Sequence, residues 1–194
     1  MAPKNSRTKG HNFERAICRD LREWLGDEWR VQRNLDDDQT GSRGRAGDIL
    51  VDGGPHPWPF AIEAKTGYGL RSSHLWKGSA TLEAMWAQAR SQADAVALDP
   101  MLVVKPAETG HPTLVMMPPG CRRRLRVPDV TMKMHIGGEV VAVMLWHRLM
   151  EVAPAALLEC AMWHADRHAT PAEVAAEVSE ALRAGWGWLT GGEE

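Results

Sequence analysis

Residues 47–65 read GDILVDGGPHPWPFAIEAK, and this stretch decides the fold. Asp48–Val51 and Phe60–Lys65 are short, largely apolar runs typical of β-strands, while the glycines and prolines between them predict a turn. Two strands this close in sequence pair most simply as an antiparallel hairpin. We therefore expect Asp48, at the start of the first strand, to lie beside the second strand.

The second strand carries two charged side chains in an otherwise apolar run. Side chains alternate between the two faces of a strand, so Glu63 and Lys65 share one face, opposite Ile62 and Ala64. An ionised pair in such a setting is costly unless it coordinates a ligand or takes part in a reaction. The hairpin can bring the carboxylate of Asp48 next to that of Glu63.

Two neighbouring carboxylates repel each other, and a bound divalent cation relieves that repulsion. Mg2+ takes one or two carboxylates, retains several waters and accepts phosphate oxygens as further ligands. It also lowers the pKa of a coordinated water, which then attacks a phosphodiester near neutral pH. Lys65 would orient that water or stabilise charge on phosphorus. Asp48, Glu63 and Lys65 are thus the predicted catalytic residues, with Mg2+ as cofactor and Mn2+ as a substitute.

The N-terminal region predicts an arm followed by a helix. Residues 1–10 are polar and basic, so we expect a flexible arm. Apolar residues then recur at helical spacing and predict a helix from about His11 to Leu25. Glu14 lies at the start of the inward-facing stripe of that helix. Its carboxylate either reaches the strand pair or stabilises the helix by lying near the positive end of the helix dipole, and both interpretations stay open.

The elements after the hairpin extend the same pattern. A helix is predicted from Ser79 to Leu98, followed by two strands. The order helix, β-hairpin, helix, strands predicts an α/β fold with a mixed sheet flanked by helices, spanning residues 11–120. Residues 121–194 are expected to form a partly helical C-terminal extension, packed on the core or at a dimer interface. Gln88 and Gln92 share one helix face, which is either solvated or close to the site.

The composition limits the classes of protein to which this chain can belong. The 194 residues are 44% hydrophobic and 25% charged, which suits one well-buried core. No apolar run approaches the ~20 residues that span a bilayer, so no membrane association is expected. Three cysteines at unrelated spacings argue against a disulfide framework and for a cytoplasmic protein. The net charge of -2 means that any DNA-binding surface must be local.

The motif and its context resemble a known group of enzymes. Gly47-Asp48, a short gap and Glu63-Ala64-Lys65 resemble the signature of the PD-(D/E)xK nuclease superfamily, with Gly47 where the name expects proline. The helix start at Lys9–Arg15 and the Gly/Ser loop at Thr40–Gly47 are similar to those of archaeal and phage Holliday junction resolvases within it.

This resemblance implies a fold, an activity and a set of site residues. The core would be restriction-endonuclease-like, and a homodimer would cut four-way DNA junctions with Mg2+. Glu14, Asp48 and Glu63 would be metal-linked acids, and Lys65 the catalytic lysine. The residues implied to contact DNA are Lys9, Ser42, Arg43 and Arg45.

Three alternatives remain open beside the junction resolvase. The chain could be a restriction-type or single-strand-processing nuclease that uses residues 121–194 as a specificity element. It could instead be a non-catalytic DNA-binding protein on the same scaffold, as the weak basicity suggests. The Glu63–Lys65 pair could also be an exposed edge-strand pair that discourages aggregation.

Overall fold

A computed structural model describes residues 5–35, 46–67, 70–77, 79–108, 110–127 and 132–168. Its helices are α1 (Asn5–Leu25), α2 (Ser72–Lys77), α3 (Ala80–Ala95), α4 (Pro119–Arg124), α5 (Trp146–Met150) and α6 (Ala156–His168). Its strands are β1 (Arg30–Arg33), β2 (Ile49–Asp52), β3 (Phe60–Thr66), β4 (Asp99–Lys105), β5 (Leu114–Met117), β6 (Met132–Ile136) and β7 (Glu139–Leu145). None of these helices is both long and apolar enough to cross a bilayer.

The strands form one seven-stranded sheet in the order β1-β2-β3-β4-β5-β7-β6. β3 and β4 pair in parallel, while the other neighbouring strands pair antiparallel. The predicted α/β fold with a mixed sheet flanked by helices is therefore confirmed. The antiparallel pairing of β2 with β3, expected from the glycine- and proline-rich turn, is confirmed as well.

Helix α1 begins earlier than the sequence suggested. It starts at Asn5 rather than near His11, so residues 5–10 are helical and the predicted arm boundary at residue 10 is wrong. Phe13, Ile17 and Leu21 are buried and anchor the helix against the sheet. Once such an anchor exists, extending a helix by polar residues is nearly free of cost, and even Gly10 costs only about 1 kcal/mol.

The two faces of the sheet are covered by different helices. α1 packs on the face that carries Phe60, Ile62 and Ala64. α3 packs on the opposite face, to which alternation assigns Glu63 and Lys65. After α1 the chain reaches Trp29, whose ring lies edge-on to the ring of Trp58 with 5.7 Å between the ring centroids. Trp58 lies just before the start of β3. α1 thus runs antiparallel to β3, and its N-terminus lies near the end of β3.

The described residues between 121 and 168 add two strands to the same sheet. β7 pairs with β5, and β6, which the sequence did not predict, forms the outer strand beyond it. The indole N–H of Trp24 donates to the carbonyl of Val152 at 2.7 Å, and that of Trp146 donates to Asp20 at 3.0 Å. The described part of the predicted extension therefore continues the sheet and packs on α1. A role at a dimer interface stays a prediction.

Gly47 allows the chain to approach β3 closely. Its φ is +84°, in the left-handed region, and a Cβ atom placed there would lie 2.4 Å from the carbonyl oxygen of Ile62. That same oxygen accepts a hydrogen bond from the N–H of Asp48 at 2.7 Å. Proline, with its φ held near −65°, cannot adopt this conformation, which explains why glycine stands where the superfamily name has proline.

We predict that Gly47→Ala destabilises the fold by clearly more than Gly26→Ala. Both glycines have positive φ, which costs an L-residue about 1–2 kcal/mol, but a Cβ at Gly26 meets nothing within 4 Å. The clash with Ile62 should add at least about 1 kcal/mol at Gly47. Urea unfolding of the two variants measures the difference. Equal losses would show that the close approach at Ile62 is not a constraint.

Candidate active site

Asp48 is fixed against β3 by the backbone. Its own N–H bonds to Ile62, and its carboxylate oxygen Oδ2 accepts a hydrogen bond from the N–H of Ala64 at 2.8 Å. The side chain is buried, with 7% of the residue exposed. Asp48 directly precedes β2, and its carboxylate therefore bonds to the backbone of β3 beside the point where β2 and β3 pair. The hairpin thus holds Asp48 beside Glu63, as the sequence predicted.

Glu63 is buried completely in the middle of β3. Its Oε1 atom forms an ion pair with the ammonium of Lys65 and accepts a hydrogen bond from Nε2 of Gln88 at 2.8 Å. Its Oε2 atom is also buried and has no hydrogen-bond partner among the described residues, although the side chain of Gln92 approaches closely enough to lower the pKa of Glu63. A buried carboxylate oxygen without a partner is unfavourable, so Oε2 is an open position for a ligand.

Burial raises the pKa of both carboxyl groups, and the charge of Asp48 raises that of Glu63 further. Burial, and then the charge of Asp48, raise the pKa of Glu63 to about 7, against the lowering effect of Lys65. Burial likewise raises the pKa of Asp48, although the Ala64 hydrogen bond and Lys65 act in the opposite direction. Asp48 and Glu63 are therefore not easily ionised at the same time unless positive charge is added beside them. The site therefore favours binding of a cation.

Two glutamines of α3 approach this site from the same face of the sheet. Gln88 donates directly to Glu63, and Gln92 is buried with 9% exposed. Of the two interpretations left open by the sequence, the structure supports closeness to the site, because packing of α3 across the sheet turns this helix face toward Glu63. Their i, i+4 spacing was the available signal, but it could not tell which face of the helix meets the sheet.

Glu14 lies on the other side of the sheet. Its Oε2 atom accepts a hydrogen bond from Nε of Arg33 at 2.6 Å, and the two side chains are only 14% and 16% exposed. The sequence did not single out Arg33, although strand alternation places it on the same face as the buried Val31. The charge of Glu14 reaches Asp48 and contributes to raising its pKa.

The structure thus brings together Asp48, Glu63 and Lys65, but not Glu14 as a third converging acid. In the described parts of the chain, no three His, Cys, Asp or Glu side chains gather as a metal-binding group. Glu14 as a metal-linked acid stays a prediction. Of the residues implied to contact DNA, Lys9 is exposed on α1, while Ser42, Arg43 and Arg45 lie outside the described residues.

The arrangement fits a hard divalent cation. Two carboxylates on adjacent strands supply oxygen ligands, one buried oxygen lacks a partner, and burial raises both pKa values. A cation at this point would favour the ionised form of both acids. The side chain of Lys65 is 17% exposed and places a positive charge beside the fully buried Glu63.

Comparison with known proteins identifies the family. The family described as "Phage putative PDDEXK endonuclease" matches residues 5–135, which is more than half of the chain. No curated protein matches the sequence. Among solved structures, Hjc, a Holliday junction resolvase from Archaeoglobus fulgidus, shares 11% identity at a TM-score of 0.36, over 76% of this chain and 96% of its own. The chain belongs to the phage putative PDDEXK endonuclease family, which confirms the predicted PD-(D/E)xK nuclease.

Proposed function

We propose that this nuclease is a Mg2+-dependent, structure-specific DNA endonuclease that hydrolyses phosphodiester bonds in four-way junctions. The observation that carries the metal-dependent hydrolysis is the buried pair of Asp48 and Glu63, beside Lys65, with Oε2 of Glu63 unpartnered among the described residues. The junction as substrate, and a homodimer as the working form, rest on the resemblance of residues 9–15 and 40–47 to junction resolvases. We place this activity in the cytoplasm of a prokaryotic or phage-infected cell.

Asp48 and Glu63 would hold the Mg2+ ion, for which Mn2+ would substitute. When bound, the ion supplies Lewis acidity and lowers the pKa of a coordinated water. The Ala64 N–H keeps the Asp48 carboxylate in one orientation. Gln88 and Lys65 occupy Oε1 of Glu63, so that Oε2 is left for the ion. The Lys65 ammonium stabilises negative charge that develops on the scissile phosphate.

Glu14 has a longer-range part in this proposal. It lies across the sheet in the pair with Arg33, and its negative charge acts on Asp48. We propose that it is linked to the ion through this field rather than as an equivalent third ligand. A loss of charge at Glu14 would then affect activity less than a loss of charge at Asp48.

We predict that Asp48→Asn and Glu63→Gln each lower the rate of junction cleavage by about a thousandfold, because each removes a ligand charge from the reaction centre. Asp52→Asn is the matched control. It ends β2, which begins directly after Asp48, is exposed, and among the described residues pairs with Arg30 at 3.7 Å. Single-turnover cleavage of a labelled junction in Mg2+ measures the rates. Wild-type activity in Asp48→Asn would refute the proposed site.

We also predict that a four-way junction is cut faster than either linear duplex or single-stranded DNA, by paired symmetric nicks. A homodimer with two opposed sites is the physical reason for the pairing. Purified protein is incubated with all three labelled substrates in Mg2+. Equal cleavage of linear duplex would favour the restriction-type alternative. Cleavage of none, with no Mg2+ or Mn2+ binding in calorimetry, would favour a non-catalytic DNA-binding protein.

The raised pKa of Glu63 predicts a pH-dependent stability in the absence of divalent cations. Its pKa of about 7 in the fold exceeds the ordinary 4.5, so the folded chain binds more protons than the unfolded chain between these values. Stability contributed by the protonated group is therefore present below about pH 4.5 and lost as the pH rises through about 7. The full effect is on the order of 3 kcal/mol.

Glu63→Gln isolates this effect, because glutamine cannot titrate. Urea unfolding in EDTA should show the variant gaining stability relative to the wild type between pH 5 and pH 8. Glu28→Gln, an exposed acid elsewhere in the chain, serves as the control and should show no such relative gain. Parallel pH profiles for wild type and Glu63→Gln would contradict a raised pKa at Glu63.

A further inference from the structure

The ends of the central strands form two rims of the sheet. We define the catalytic rim as the side where β3 and β4 end, at Thr66 and Lys105, which are register partners. The opposite rim is the side where these strands begin, at Phe60 and Asp99. Among the described residues, the exposed acids of the opposite rim are Glu28, Asp52, Asp94 and Glu139, and the arginines of α4 lie at the same rim.

Two arginines of the opposite rim are paired with its acids. Arg30 pairs with Asp52 at 3.7 Å, and Arg90 pairs with Asp94 at 3.7 Å and with Glu139. Three of the four exposed acids of this rim are therefore engaged by these two arginines.

The catalytic rim has exposed cations of a different kind. Lys9, Arg71 and Lys105 are exposed, and within the described ranges none of them pairs with an acid. Lys105 lies one strand away from the end of β3, at a spacing of about 5 Å. Leu70 is tied to this segment by hydrogen bonds to Gly67 at 2.8 Å and from Ala107 at 2.9 Å, which places Arg71 beside it.

Four acids near the catalytic rim belong to the described residues, and three of them are buried or paired with a cation. Glu14 pairs with Arg33, and Asp48 and Glu63 are buried. The carboxylate of Glu108 accepts hydrogen bonds from the backbone N–H of Ser72 at 3.0 Å and from its hydroxyl at 3.3 Å. Among the described residues, the exposed Lys9, Arg71 and Lys105 therefore outnumber the partly exposed Glu108 next to the active site, although the whole chain is slightly acidic.

We propose that Arg71 and Lys105 form a phosphate-binding rim that holds the DNA backbone across the ends of β3 and β4. The inference rests on the proposed function, because it assumes that DNA is the substrate and that the scissile phosphate lies beside Lys65. Two cations contact phosphates flanking the scissile bond, and Lys9 on α1 borders the same surface. Such contacts orient the duplex without reading its sequence.

The test is a binding measurement with Asp48→Asn protein, which separates binding from cleavage. The variant Arg71→Ala/Lys105→Ala is compared with Arg30→Ala/Arg123→Ala, which removes the same charge from exposed positions away from the catalytic rim. Fluorescence anisotropy with a labelled four-way junction and a labelled duplex, from about 50 to about 200 mM KCl, gives the salt slope. Thermal melts check that all variants are folded.

We expect the rim variant to bind both DNAs at least about tenfold more weakly, with a salt slope smaller by about 2, because each phosphate contact contributes about 0.9. Lys105→Glu should weaken binding in the same direction. The control pair should keep the parent slope. If the rim variant instead binds with the slope of the control pair, while the wild type still cuts DNA in an Asp48-dependent way, the rim proposal is overturned and the nuclease proposal stands.

Discussion

The contact between the Gly47–Asp48 bend and β3 is the constraint on which the site depends. Two hydrogen bonds, from Asp48 N–H to Ile62 and from Ala64 N–H to the Asp48 carboxylate, hold the bend at 2.7 and 2.8 Å. They require a residue without Cβ at position 47, and they place one buried carboxylate beside another. Without them Asp48 would be an ordinary loop acid, and Glu63 would lack the neighbouring charge that contributes to its raised pKa.

Burial sets the chemistry of this pair. Removing two carboxylates from water is unfavourable, and their mutual repulsion adds to that cost. Lys65 and Gln88 compensate only one oxygen of Glu63, which leaves the site dependent on further positive charge. A rigid, incompletely satisfied carboxylate pair of this kind supplies oxygen ligands of the type that a hard cation prefers.

The central strands supply the rigidity that the site requires. β3 and β4 are covered by α1 on one face and α3 on the other, and β5, β7 and β6 continue the sheet beyond them. The same strands bring exposed cations close to the buried carboxylates, because Lys105 ends β4 beside the end of β3. A local group of cations attracts a polyanion even where the net charge of the chain is weakly negative.

Local sequence determined the β2–β3 hairpin, the alternation that puts Glu63 and Lys65 on one face, and the span of α3, because each depends on neighbours a few residues apart. The motif of Asp48, Glu63 and Lys65 could be read from the same stretch. Only the tertiary structure decided that β3 pairs in parallel with β4, that Gln88 reaches Glu63, and that Glu14 pairs with Arg33 across the sheet. The physical reason is that packing between segments far apart in the chain decides which face of a helix meets the sheet.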